Sequence, residues 1–193
     1  MTSIRTLAAG LAITTLPGMA LADSSQWQGA YLGFQATQTQ FEVSVIPGVT
    51  NDATSIDVYG GYNYAVNPNW VVGAEIVVAT GDSVPYDLSG GGQPYGFAGM
   101  SSLNIRGGYA VNNFLIYAGA GISQSEIILS PGGTSNYSIE DAYNLFVGGE
   151  MMVNEDLSVR MQYTHSEGEP FVFGPSSSST AQQISIGATY HLN

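Results

Sequence analysis

The stretch that decides the fold lies near the end of the chain and reads Ala181-Gln-Gln-Ile-Ser-Ile-Gly-Ala-Thr-Tyr-His-Leu192. Its residues alternate between two faces of an extended chain. One face is apolar and comprises Ile184, Ile186, Ala188, Tyr190 and Leu192. The other is polar or small and comprises Gln183, Ser185, Gly187, Thr189 and His191. A period of two residues is typical of a β-strand and not of a helix, so this stretch is predicted to be a strand with one apolar face.

The same alternation recurs over most of the chain. It predicts eight strands, at residues 30–41, 55–64, 70–79, 97–109, 114–123, 141–152, 157–165 and 181–192. Three short connections with Asn, Asp or Pro turn chemistry lie at residues 65–69, 110–113 and 153–156. Four long connections rich in Gly, Ser, Pro and acidic residues lie at residues 42–54, 80–96, 124–140 and 166–180. The sequence therefore predicts an all-β fold, an eight-stranded antiparallel up-and-down barrel with short turns at one end and long loops at the other.

The polar face indicates which side of the barrel meets lipid. Only 9% of the residues are Asp, Glu, Lys or Arg, against roughly 25% in ordinary soluble domains. The polar face consists mostly of Gly, Ser, Thr, Asn and Gln, whereas a soluble barrel would carry Lys and Glu on its outer face. We therefore expect a transmembrane β-barrel with its apolar face in lipid. Aromatic residues predicted to form a girdle near the short turns are Tyr62, Tyr64, Trp70, Tyr109, Phe114 and Tyr190.

A few charged residues fall on the polar face, which points into the narrow interior. The predicted lumenal charge cluster consists of Glu75, Arg106, Glu150 and Arg160, with Asp57 as a further inward charge. A symmetric turn around Glu155 would place Glu150 opposite Arg160, and the same reasoning places Arg106 opposite Tyr117. Bulky inward residues, namely Tyr59, Tyr117 and Phe146, are expected to fill much of the remaining lumen.

The first 22 residues have the parts of a secretory signal peptide. Arg5 precedes an apolar stretch at residues 7–16, and the small residues Ala20 and Ala22 precede a predicted cleavage site. We therefore expect residues 1–22 to be a signal peptide and residues 23–193 to form one barrel domain.

Several short motifs together resemble a known family. They are Trp27-Gln-Gly-Ala-Tyr-Leu-Gly33, Gly60-Gly-Tyr-Asn-Tyr64, Asn69-Trp70, Gly73-Ala-Glu75, Arg106-Gly-Gly-Tyr109 and Tyr117-Ala-Gly-Ala-Gly121. In this order they resemble the small outer-membrane porin-like barrels of the OmpA-like and opacity-protein superfamily. The resemblance implies location in the outer membrane of a Gram-negative bacterium.

The resemblance also implies an assembly signal in the last strand. Ser185, Gly187, Tyr190 and Leu192 match the polar, glycine, aromatic and hydrophobic spacing that the barrel-assembly machinery recognises in such proteins. The family usually ends on an aromatic residue, whereas this sequence ends His191-Leu192-Asn193. We expect no peptidoglycan-binding domain to follow the predicted barrel.

The composition argues against several other functions. A net charge of −12 with only three Lys and Arg residues excludes nucleic acid as a partner. The absence of Cys excludes thiolate metal sites, and neither of the two His residues has a second ligand at a recognisable metal spacing. We expect no metal, no cofactor and no catalytic residues. His165 and Ser166 have the side-chain types of a hydrolase, but consecutive strand residues point to opposite faces.

The sequence thus favours a structural or surface-interaction role through the long loops, with outer-membrane lipids and lipopolysaccharide as neighbours of a monomeric barrel. Alternatives are a narrow porin for small solutes, an outer-membrane lipid hydrolase, and a soluble periplasmic ligand carrier.

Overall fold

A computed structural model describes residues 24–43, 50–79, 85–87, 94–129, 136–168 and 179–192. The predicted signal peptide at residues 1–22 lies outside the described residues and stays a prediction. Within these ranges, no helical segment combines the length and the apolar character that are needed to traverse a membrane.

In the described part of the chain, nine strands follow a short 3-10 helix at Ser24–Trp27. They are β1 Gly29–Val43, β2 Thr50–Ala65, β3 Trp70–Ala79, β4 Pro85–Asp87, β5 Pro94–Val111, β6 Phe114–Leu129, β7 Asn136–Met152, β8 Leu157–Gly168 and β9 Ser179–Leu192. Apart from the short β4, each strand pairs antiparallel with its two neighbours in the ring β3-β2-β1-β9-β8-β7-β6-β5. In this ring β3 also pairs with β5, and pairing of the first strand, β1, with the last, β9, closes it. The predicted eight-stranded antiparallel up-and-down barrel is confirmed.

The predicted boundaries of the long loops were wrong, because strand pairing continues into all four. On either side of the four loops, strands end as late as Val43, Leu129 and Gly168, or begin as early as Thr50, Pro94, Asn136 and Ser179. The loop predicted at residues 80–96 also contains the short strand β4, which pairs with β5. Alternation fades in these regions because outward residues beyond the lipid need not be apolar. Backbone pairing does not depend on that pattern.

The outer and inner faces are divided as the sequence predicts. Large hydrophobic side chains are exposed on the outside, up to 76% for Tyr143, whereas Ser, Thr, Asn and Gln side chains on the inside are buried. The predicted aromatic girdle also faces outward, with all six side chains exposed. Beyond the apolar belt, toward the long loops, the outer face becomes polar. Thr54 donates to Gln38 Oε1 at 3.0 Å, and Gln124 donates to Asp141 Oδ1 at 2.9 Å.

Asparagine shapes the three short turns. Asn67 Oδ1 accepts hydrogen bonds from the backbone N–H groups of Asn69 and Trp70, both at 3.0 Å. Asn154 Oδ1 does the same for Asp156 and Leu157, at 3.0 and 2.9 Å. Asn112 adopts a left-handed conformation with φ of 55°, which allows the two-residue turn between β5 and β6.

Candidate functional site

Four charged side chains meet in the middle of the barrel. Glu75 lies on β3, Arg106 on β5, Glu150 on β7 and Arg160 on β8. Each points inward by the alternation of its strand, and each side chain is at most 3% exposed. The structure thus brings together all four residues of the predicted lumenal charge cluster.

The strongest contact in the cluster spans the lumen. Arg160 Nη1 lies 2.6 Å from Glu75 Oε2, and Nη2 lies 3.2 Å from Glu75 Oε1. In the ring of eight strands, β8 and β3 are four steps apart, so this two-bond contact crosses the full diameter. Glu150 and Arg160 are opposite each other in the β7–β8 hairpin, as the symmetric turn predicts. The Arg160 guanidinium nevertheless donates to Glu75, because an extended Arg side chain reaches the barrel axis.

Arg106 forms the second part of the cluster. Its Nη1 lies 3.5 Å from Glu150 Oε2 and 3.8 Å from Glu75 Oε2, and its Nε donates to Asn63 Oδ1 at 3.1 Å. Glu75 is therefore shared between two guanidinium groups. A shared carboxylate with two cations and a second carboxylate gives a compact cluster with no net charge.

The predicted register of Arg106 was wrong by two residues. Arg106 pairs with Gly119, and Tyr117 pairs with Gly108. The cause is the tight turn at Asn112, which moves the centre of the hairpin by one residue and every pairing by two. The Arg106 guanidinium still lies over the Tyr117 ring, with Cζ 5.0 Å from its centroid.

Neutral polar groups and aromatic rings surround the two arginines. Gln35 Oε1 accepts from Arg160 Nε and Nη2 at 3.1 and 2.7 Å, while Gln35 Nε2 donates to Asp57 at 3.0 Å. Tyr31 donates to Glu75 Oε2 at 3.0 Å, and Arg160 Cζ lies 3.5 Å from the centre of the Tyr59 ring. Cation–π contacts and hydrogen bonds replace the water that the charges lose on burial.

Inward aromatic rings are seated on inward glycines of neighbouring strands. A methyl group added at these glycines would collide with the ring, which shows how closely the ring lies on the backbone. The four pairs are Tyr31 with Gly61, Tyr59 with Gly33, Tyr117 with Gly148 and Phe146 with Gly119. The rings therefore fill the lumen from the walls inward, and the small residues opposite them make this possible.

Sequence reasoning missed His191 as part of the site. Ser158 donates to Glu150 Oε1 at 2.5 Å, and Ser158 Oγ lies 3.0 Å from His191 Nε2. Strand parity was the available signal, because His191 shares the inward face of β9 with Ser185 and Gly187. These side-chain types occur in hydrolases, but Ser158 is fully buried and already donates to a carboxylate.

The other residues considered for chemistry are not brought together. His165 is half-buried and Ser166 is buried on the opposite face of β8, as strand geometry requires. Among the described residues, no group of three or more His, Asp or Glu side chains is placed to hold a metal ion. The predictions that the protein is not an enzyme and needs no cofactor remain predictions.

The predicted assembly signal lies on β9, between β1 and β8. Ser185 is buried in the lumen, whereas Tyr190 and Leu192 face outward and are half exposed. Recognition of these residues and Gly187 by the assembly machinery stays a prediction.

Comparisons with known proteins agree with this architecture. A family model described as the outer membrane protein beta-barrel domain matches residues 7–191. A 22 kDa outer membrane protein of Rhizobium leguminosarum bv. viciae is 24% identical over 148 residues, which cover 75% of this chain and 65% of that protein. The chain therefore spans less than two thirds of the length of this relative.

Two solved structures share the fold at low sequence identity. Neisserial surface protein A superimposes with a TM-score of 0.60 at 12% identity, covering 85% of this chain and 97% of that one. Ail, the attachment invasion locus protein of Yersinia pestis, gives a TM-score of 0.60 at 11% identity, covering 84% and 99%.

Proposed function

The chain belongs to the outer membrane protein beta-barrel domain family, and from that premise we propose that it is a closed barrel that acts through its extracellular surface. The predicted location in the outer membrane is confirmed by the family and by the Rhizobium relative. Beyond this location, the proposed task of the barrel is contact with other surfaces rather than passage of solutes.

The observation that carries the proposal is the charge cluster that spans the lumen. Arg160 and Glu75 are joined across its diameter, and Arg106 and Glu150 occupy the space beside them. An eight-stranded barrel has an interior only just wide enough to be filled by side chains. Here the side chains that fill it are ionised and mutually paired, so opening a path would leave buried charges without partners.

The length of the strands supports a role outside the membrane. A tilted strand needs about 9 to 11 residues to cross a bilayer, whereas β5 has 18 residues and β7 has 17. The excess lies at the end away from the short turns. Paired strands would hold the long hairpin ends above the membrane as a rigid support for contact residues.

The same geometry supports the proposed neighbours of the barrel. Of the three Lys and Arg residues in the chain, Arg106 and Arg160 lie in the lumen and Arg5 lies in the predicted signal peptide. The lipid-facing belt is therefore apolar, and contact with outer-membrane lipids and lipopolysaccharide would depend on burial of that belt.

We expect a monomer, which native mass spectrometry in detergent would test. A stable oligomer would contradict this expectation.

Two measurements test the proposed function. In planar bilayers, the purified monomer should give no stable conductance steps of porin size, and such steps would contradict a closed barrel. In a binding assay, cells producing the protein are applied to arrays of glycans and matrix proteins. Replacing residues 88–93 and 130–135 by Gly-Ser segments should abolish binding while the heat-modifiable barrel remains. Equal binding by both proteins, or none by either, would refute the surface role.

A further inference from the structure

The residues before β1 are folded across the mouth of the barrel at the short-turn end. The N–H of Ser24 donates to Pro68 O at 2.9 Å, and its hydroxyl donates to Asn67 O at 2.6 Å. Gln26 Nε2 donates to Asn112 O at 2.5 Å. Residues 24–28 are thus fixed to two different turns, the one between β2 and β3 and the one between β5 and β6.

Trp27 projects from this segment into the barrel. Its side chain is fully buried in an apolar cluster whose other members at this end include Val71, Ala110, Leu115 and Met152. The indole also contacts β9, since its ring lies 5.7 Å from the His191 ring in an edge-to-face arrangement at 78°. A tryptophan, the largest type of side chain, therefore occupies the opening at the short-turn end, which is the periplasmic end of outer-membrane barrels.

We propose that residues 24–28 form a periplasmic lid that seals the lumen independently of the lumenal charge cluster. This inference deepens the proposed closed barrel, because it adds a second seal in series with the first. The lid consists of an apolar stopper, Trp27, and of polar arms that hold it, Ser24 and Gln26. Water is kept from the base of the cluster, where Glu150 contacts Ser158 and His191.

The physical reason for such a lid follows from the cluster itself. The attraction between buried charges weakens when water reaches them and raises the local dielectric constant. Glu150 is the cluster residue that contacts His191, and His191 packs directly on Trp27. A stopper at this position keeps the charge pairs in a dry environment.

The indole of Trp27 seals the opening through its bulk. Its Nε1–H has no hydrogen-bond partner among the described residues, and an unpaired buried donor stabilises nothing. Replacement of Trp27 by Phe should therefore retain the seal, whereas replacement by Ala should open it. This difference separates a stopper from a polar anchor.

Thiol labelling tests the lid directly, because the chain has no Cys. Ala110→Cys would place a single thiol at a fully buried position in the apolar cluster that contains Trp27. In the folded protein in liposomes, a water-soluble maleimide should label the thiol at position 110 slowly. Adding Trp27→Ala should raise the rate by about tenfold or more, which corresponds to about 1.4 kcal/mol. Trp27→Phe should leave the rate within about twofold.

Controls separate the lid from other effects. Val153→Cys lies on an exposed turn and should be labelled quickly with or without Trp27. Should Trp27→Ala fail to give a heat-modifiable barrel, the Ser24→Ala and Gln26→Ala double variant loosens the arms and should raise the labelling rate instead. Equal labelling at position 110 in the presence of Trp27, with Trp27→Phe and with Trp27→Ala would overturn the lid. The proposed function is tested separately by the planar-bilayer measurement. Stable conductance of ions through the wild-type protein would refute the closed barrel, whatever the result of the labelling.

Discussion

Replacing Glu75 by Gln should destabilise the barrel strongly. The substitution keeps the shape of the side chain but removes the charge that accepts two hydrogen bonds from Arg160 and one from Tyr31. The partners left at the buried Arg160 would be neutral ones, namely the Gln35 oxygen, the Tyr59 ring and the amide oxygen of the new Gln. Breaking a buried pair by removing one partner typically costs about 3 to 5 kcal/mol, and we expect a loss in this range.

A pair of double-mutant cycles tells a specific contact from a general effect of charge. The first cycle combines Glu75→Gln with Arg160→Gln, and the second combines Glu150→Gln with Arg160→Gln. Contacting residues show coupling energies of about 0.5 to 3 kcal/mol. We expect the first cycle to lie at the upper end of this range. The second should be smaller, because Arg160 donates to Glu75 and Glu150 is bound by Ser158 and Arg106.

The free energy of unfolding would be measured by urea titration of the barrel in lipid vesicles, with tryptophan fluorescence and heat modifiability as independent readouts. Glu155→Gln serves as the matched control, because this carboxylate is exposed on the β7–β8 turn. It should change the stability by no more than about 0.5 kcal/mol. A coupling of zero between Glu75 and Arg160 would refute the cross-lumen contact. A larger coupling in the second cycle would show that the hairpin pair is the dominant one.

Three further outcomes are expected. Gly119→Ala should lower the free energy of unfolding by about 1 to 3 kcal/mol in the same titration, because the methyl group would meet the Phe146 ring and the Ile105 carbonyl oxygen. Gly107→Ala is the control and should leave the free energy of unfolding nearly unchanged, because a methyl group there would meet no other atom within 4 Å. Ile105→Lys, on the lipid-facing side, should lower the free energy of unfolding by about 2 to 4 kcal/mol if the position lies at the bilayer midplane. An unchanged free energy of unfolding would place Ile105 away from the midplane. Tyr190→Asp should reduce the amount of heat-modifiable barrel in outer-membrane fractions, and unchanged levels would argue against its part in the assembly signal.

The features that could be predicted from the sequence are the ones that depend on near neighbours in the chain. Alternation alone separates the lumen from the lipid face and so places Arg106 and Arg160 inside. The register of Glu150 opposite Arg160 also follows locally, because the turn between their strands is short and symmetric. The register of Arg106 did not follow, since it depends on Asn112 adopting a left-handed backbone conformation that a neighbouring residue could have adopted instead.

The partners of the charges depend on closure of the ring, which no local pattern encodes. Glu75 and Arg160 lie 85 positions apart in the chain, and their strands become opposite only when β1 has paired with β9. In an open sheet with the same hairpins, Glu75 and Arg160 would be too far apart to form their ion pair. An unpaired charge in a dry interior is costly. The cluster therefore stabilises the closed ring but does not stabilise a partly closed arrangement, in which the charges would lack their partners. The charges that span the lumen therefore also favour the arrangement of strands that encloses it.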